Sequence, residues 1–199
     1  MAAPTYAAGT PGNVLSQGLP AGKNAAALVD LSTVLGGALH CKMTTGATAP
    51  SAATTFTLNR VSAAAATAPN TTLSAAAAAG STSLSVGSIL GIAAGQKVAL
   101  LAAATGIGEV VTVASASGTT LTLSGGTIGG YAAGDSIFHI EQTASGGSVA
   151  PGYSWSAGTT YSTSIYPPAA WVWVIYVSNA DTAQPVNVSV TLDKNPTFA

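Results

Sequence analysis

Trp171-Val172-Trp173-Val174-Ile175-Tyr176-Val177 runs for seven residues without a polar break. Its β-branched and aromatic side chains are those of a strand covered on both faces. Downstream, Ser178-Asn179-Ala180-Asp181-Thr182-Ala183-Gln184-Pro185 carries turn chemistry. Val186-Asn187-Val188-Ser189-Val190-Thr191-Leu192 then alternates apolar and polar without a slip, so one face points inward and the other is wet. Together they predict a central strand hydrogen-bonded to a half-exposed neighbour in an antiparallel sheet. Upstream, residues 153–165 mix aromatics with Ser and Thr, and Pro167-Pro168 stops that stretch before the central strand.

Nearer the N-terminus, strands are expected over 26–31 and 38–44, with a turn at Ser32-Thr33. A helical spacing of Leu28, Leu31, Leu35 and Leu39 is interrupted by Gly36-Gly37. In the second strand Leu39, Cys41 and Met43 point inward, while His40 and Lys42 point out. Residues 46–53 read as loop, and Phe56-Thr57-Leu58-Asn59-Arg60-Val61 alternates again as a third strand. Residues 63–70, Ala-rich with Pro69, read as a linker. Residues 1–27, rich in Ala, Gly, Pro and Ser, read as an extended N-terminal arm, ordered where a partner pins it down.

The middle of the chain contains an internal repeat. Residues 83–98 align with 122–137 at a constant offset of 39 residues (84 to 123, 95 to 134, 98 to 137). Matching glycines at 87/126, 91/130 and 95/134 are expected where turns need a permissive φ. The pattern is strand, Gly-rich loop, strand, used twice, with Glu109-Val110-Val111-Thr112-Val113 between the copies. Two copies are too few for a solenoid. The expected fold is all-β: an antiparallel, jelly-roll-like β-sandwich with an inserted small β-barrel or sandwich built from the 39-residue repeat. On this division residues 28–68 plus 142–199 form a discontinuous outer sandwich and 69–141 the insertion. A long excursion of this kind costs little entropy, because loop cost grows only logarithmically with length.

Charge is the strongest compositional signal. Charged residues make up 6% of the 199-residue chain, against about 25% in ordinary soluble domains. The formal net charge is −1, so no long-range field steers the chain to nucleic acid or to an anionic membrane. A surface so near neutrality favours self-association. Apolar residues reach 48%, but many are Ala, so the core must come from seams of Val, Leu, Ile and a few aromatics. The apolar stretch 98–108, bounded by Lys97 and Glu109, is shorter than the about 20 residues a spanning helix needs. No membrane is expected. Met1-Ala2-Ala3-Pro4-Thr5-Tyr6 lacks the basic and apolar regions of a signal peptide, so synthesis in a cytoplasm is expected.

No constellation for chemistry is legible. His40 and Cys41 are adjacent, so on a strand they face opposite sides and cannot share a metal, and no His/Cys/Asp/Glu cluster has ligand spacing. Cys41 reads as core filler. Nucleophilic catalysis needs His beside Ser or Cys and an acid to orient it; Gly-x-Ser-x-Gly is absent, and no spacing assembles such a set. Glu109, Asp135, Glu141 and Asp181 are the acids a carboxylate pair would draw on, and nothing in the pattern brings two together. Gly106-Ile107-Gly108 precedes a strand rather than a helix, so it presents no helix-start amides to phosphate. The expectation is a non-enzyme with no catalytic residues, no cofactor and no metal. Of the aromatics, Tyr153 and Trp155 stand in a Gly/Ser-rich approach and are the candidates for ligand or partner contact, such as stacking on a sugar ring. Burial is expected to claim the others.

Thr71-Thr72-Leu73-Ser74-Ala75-Ala76-Ala77-Ala78-Ala79-Gly80-Ser81-Thr82-Ser83-Leu84-Ser85-Val86, continuing to Gly91-Ile92-Ala93-Ala94-Gly95-Gln96, resembles modules inserted in virion proteins of tailed bacteriophages. The flanks Gly18-Leu19-Pro20-Ala21-Gly22-Lys23-Asn24 and Gln184-Pro185-Val186-Asn187-Val188-Ser189-Val190 resemble small β-sandwich, capsid-associated proteins of such phages. The resemblance implies a virion structural protein of cement or decoration type. Its implied partners are the major capsid protein or other virion proteins, and copies of itself. A neck, tail or fibre component with a glycan-binding adhesion role is the neighbouring reading. No catalytic residues carry over.

Overall fold

The computed structural model describes residues 12–31, 37–61, 70–149, 156–167 and 172–194, with the backbone alone for 141–149 and 194. Among these residues the chain is all-β, without a helix. Four strands come first: β1 (Gly12–Leu19), β2 (Asn24–Asp30), β3 (Gly37–Thr45) and β4 (Thr54–Val61). Six follow: β5 (Thr71–Thr72), β6 (Ser83–Ser85), β7 (Lys97–Leu101), β8 (Ile107–Ser117), β9 (Thr120–Leu123) and β10 (Ser136–Val149). The last three are β11 (Thr160–Ile165), β12 (Val172–Asn179) and β13 (Val186–Lys194).

All pairings are antiparallel. One sheet has four strands in the order β1-β13-β3-β11. In the other, β2-β12-β4-β10-β7-β8 closes on itself, because β8 pairs back onto β2. That ring is a six-stranded barrel. β9 and β6 continue outward from β8, and β5 pairs with β10.

Strand alternation then stacks three cores in a row. On β2, β12 and β4, one set of side chains (Val29, Phe56, Leu58, Trp173, Ile175, Val177) packs against Leu15, Leu39, Met43, Val190 and others of the four-stranded sheet. The opposite set (Ala26, Val61, Val172, Val174) turns into the barrel and meets Ala99, Leu101, Val110 and Phe138 from β7, β8 and β10. The remaining face of β7, β8 and β10 (Val98, Leu100, Val111, Val113, Ile137) builds a distal core with Leu73, Leu84, Leu121, Leu123 and Tyr131. The wall strands are therefore apolar on both faces, which is why 172–177 and 98–101 read as unbroken apolar runs. A six-stranded ring leaves a narrow interior that side chains fill, the small alanines at 26 and 99 among them.

The expected pairing of the central strand with its successor is corrected. β12 lies between β2 and β4, whereas β13 lies between β1 and β3 in the other sheet. The connection is not a tight hairpin. Asn179 Nδ2 donates to the carbonyls of Gln184 at 2.9 Å and Pro20 at 3.2 Å, carrying the chain across from one layer to the next. The stretch expected as an arm also contributes strands. β1 runs along β13, pinned by Leu15 and Leu19, which are fully buried, while residues 1–11 lie outside the described residues. So do the expected turn at Ser32-Thr33 and most of the 63–70 linker.

Strands of the barrel come from both sides of the 69–141 boundary. β10 crosses it: Ser136 to His139 pair with β7, and Ile140 to Val149 pair with β4. Register shifts between Ile140/Gln142 and Thr143/Ser145 mark bulges that bend this long strand around the barrel.

The closing seam is short: Ala26 opposite Gly108 and Ala27 opposite Ile107. Leu28 N extends it by donating to Gly106 O at 3.1 Å. Asn24 extends it the other way, its side chain accepting from Val110 N at 3.0 Å and donating to Val110 O at 3.4 Å, as a backbone would. Only glycine fits at 108, since a Cβ there would lie 1.9 Å from Leu100 O.

Two loops close alike. Gln96 N donates to Ala93 O at 3.3 Å and Asp135 N to Ala132 O at 3.2 Å. Gln96 Oε1 accepts from Ala93 N at 2.7 Å, and Asp135 Oδ2 from Ala132 N at 2.8 Å. Gly95 and Gly134 in these turns have φ of 83° and 92°. The expectation of permissive φ fails at Gly87, Gly126 and Gly130, which do not adopt it. Gly126 answers to crowding instead, since a Cβ would sit 2.6 Å from Gly80 O.

Candidate functional site

Tyr153 and Trp155, the aromatic contact candidates, lie outside the described residues, as does Trp171. Trp173 is core. Tyr161 packs half-buried against the same core, and its hydroxyl accepts from Ser156 N at 2.9 Å. Tyr166 is 73% exposed, next to the end of β11. Cys41 is fully buried, and burial pushes its thiol up to about 12. The thiolate, the reactive form, is thereby suppressed.

Three of the acids are buried, and each is spent on backbone amides. Glu109 on β8 accepts from Ile128 N at 2.8 Å, Gly129 N at 3.1 Å and Tyr131 Oη at 3.0 Å. Burial first, then the Glu109 charge and hydrogen bond and the Asp135 charge, push the Tyr131 phenol well above its usual range. Asp135 accepts from Ala103 N at 2.9 Å as well as from its own turn. Asp181 gathers a loop knot: Ser51 N at 2.5 Å, Ser51 Oγ at 2.9 Å, Ala183 N at 2.8 Å and Gln184 N at 2.7 Å. The amides of Ala183, Gln184 and Ser51 hold its carboxyl far below the usual carboxylate range. Carboxylates wrapped by amide donors on all sides are staples rather than acid–base pairs. Glu141 has no described side chain.

The outer face of the four-stranded sheet carries a different arrangement. His40 sits on β3 between two strands, opposite Ser164 of β11 and Thr191 of β13. Its Nδ1 lies 3.2 Å from Ser164 Oγ, and its Nε2 lies 2.9 Å from Asp193 Oδ2. Ser164 is exposed, and the His40 and Asp193 side chains are 40% and 44% exposed. With the Asp193 oxygen accepting, Nε2 carries the hydrogen, and in that tautomer Nδ1 accepts from the Ser164 hydroxyl. Asp193 Oδ1 is buried and has no hydrogen-bond partner. Hydroxyl, imidazole and carboxylate are thus joined in series, the set that the sequence spacing gave no sign of.

The set is not visible along the chain because the partners lie 124 and 153 residues from His40 and meet only through strand pairing. The available signal is alternation: it puts residue 40 on the outward face, and Ser164 and Asp193 share that face on the neighbouring strands. Among the described residues no group of three His, Cys, Asp or Glu is placed to hold a metal ion, and no helix is long and apolar enough to cross a membrane. No family model matches the chain, and no curated protein or solved structure matches it.

Proposed function

We propose that the chain is a structural protein of a tailed-bacteriophage particle, seated on the capsid as a cement or decoration protein. Its surface is the supporting observation. The chain has six acidic residues, and three of them, Glu109, Asp135 and Asp181, are buried, so the exterior carries even less charge than the composition implies. Among the described residues the four-stranded sheet ends in β1 and β11, each paired on one side only, and neither strand contains a charged residue or a proline. Soluble monomers commonly guard such edges with charge or proline, because open strands recruit other strands, and here the register shift between Asn13 and Leu15 near the start of β1 interrupts the edge at one point and leaves residues 15–19 regular. Edges left open in this way suit addition of a strand from the capsid or from another copy. Many copies on one particle then make weak contacts strong together.

The finer architecture belongs to the same proposal. The four-stranded sheet and the β2/β12/β4 wall form the jelly-roll-like sandwich, and the distal part is two copies of one strand–loop–strand unit. The matched turns at 93–96 and 132–135 support the second point. The partners on this reading are the major capsid protein and copies of the chain, in the virion.

Quantitative mass spectrometry of purified particles tests it. The expected result is a copy number commensurate with the capsid lattice. A few copies per particle would move the chain to the neck, tail or fibre, and absence from particles would end the reading.

A further inference from the structure

We propose that Ser164 is a nucleophilic serine that takes an acyl group from activated esters of small polar acids, with His40 as its base and Asp193 positioning the ring. The inference goes beyond the structural role and does not depend on it.

All three side chains project from paired strands of one sheet, which holds a constellation more firmly than loops do. Asp193 Oδ2 fixes the ring through Nε2, and with Oδ1 buried and unpartnered, the imidazole is the group this carboxylate acts on. The ring's other nitrogen then faces Ser164 Oγ. That is the nucleophile–base–orienter series of acyl transfer. Ser164 is exposed, so an electrophile can reach it.

Room for the acyl group lies beside it on the same face. Lys42 and Ser162 are the next outward pair along β3 and β11. Beyond them opens a shallow depression of about 480 Å³ lined by Lys42, Thr44, Thr160, Asn187 and Ser189 among others. Hydroxyls, an amide and one ammonium suit a polar acyl chain, and the flexible Lys42 stem can bring positive charge toward a developing oxyanion.

In the reaction, Oγ attacks the ester carbonyl while its proton passes to Nδ1. The tetrahedral intermediate collapses, the C–O bond to the leaving group breaks, and the departing oxygen takes the proton back from Nδ1. Acyl-Ser164 remains. Water added through the same base releases the acid and restores the serine.

The test uses the full chain with p-nitrophenyl acetate and with a fluorophosphonate, read by nitrophenolate release, intact mass and peptide mapping. The expected result is one adduct per chain, at Ser164, with a rate that falls on acidification. Ser164→Ala should abolish the adduct. His40→Gln, which keeps hydrogen-bonding groups but no base, should slow it about 100-fold or more. Asp193→Asn should slow it and alter the pH profile while the circular-dichroism spectrum stays unchanged, which a merely structural role would not do. An adduct on another residue, His40 included, overturns the proposal. So does labelling of Ser164 at the same rate in His40→Gln, or no labelling at all.

Discussion

The two outer cores flank the same barrel and are made differently. The core under the four-stranded sheet is filled by large side chains, Phe56, Met43, Trp173 and several leucines, hung on strands of six to nine residues. The distal core has leucines, valines and Tyr131, and its own strands β5, β6 and β9 are only two, three and four residues long. Its order comes instead from specific hydrogen bonds. Ala77 and Tyr131 exchange both backbone bonds at 2.9 and 2.8 Å, and Glu109 holds the 128–131 loop. Where Ala, Gly, Ser and Thr supply little apolar surface, burial contributes less per residue, and satisfied backbone groups and buried carboxylates must define the fold. One core is specified by volume, the other by donors and acceptors.

The contrast can be broken first at the element both sides share. Gly108→Val should abolish folding, at a cost of more than about 4 kcal/mol, because any Cβ at 108 collides with the β7 backbone and opens the seam. Loss of soluble product and of the β-type circular-dichroism spectrum would be the readout. Trp173→Ala comes next, costing about 3–5 kcal/mol in urea denaturation, with all probes moving together, since β12 lies between two cores. Leu121→Ala should cost about 2–5 kcal/mol by the same cavity reasoning, but locally. Hydrogen exchange would then speed up across 71–135 while β12 amides stay protected. Uniform acceleration would mean that the two cores do not open separately.

Tyr131→Phe is the smallest change and separates donors from volume. It removes one donor to Glu109 and should cost about 1 kcal/mol near neutrality. Because the phenol is pushed up in the folded state, it contributes stability that is full below its unfolded value near 10 and is lost as pH rises past it. Wild-type urea midpoints should therefore drop more between about pH 9 and 11 than those of Tyr131→Phe. Equal slopes would contradict the assignment.

Much of this was legible in periodicity. The double-sided burial of 172–177 and the alternation at Leu39/Cys41/Met43 and Val186–Leu192 follow from residue order alone, because a pleated strand sorts its side chains by parity. Partner choice was not legible. Nothing in 171–192 says that β12 and β13 enter different sheets, since that is set by Asn179 and Asp181 bonding to loops far away in sequence. β1 was hidden because only Leu15 and Leu19 mark its buried side in a Gly/Ser setting. The buried acids gave no pattern either, because their partners are amides, which every residue but proline carries. His40, Ser164 and Asp193 converge only once β3 has β11 on one side and β13 on the other.

The barrel depends on a seam of two residue pairs, so cross-strand nuclear Overhauser contacts in an isotope-labelled sample probe its closure most directly. A closed ring requires contacts from Ala26 to Gly108 and from Ala27 to Ile107, with the Leu28 amide protected from exchange. Contacts between β12 and β4 without any across the seam would mean an open sheet, and would contradict the closed barrel from which the three stacked cores follow.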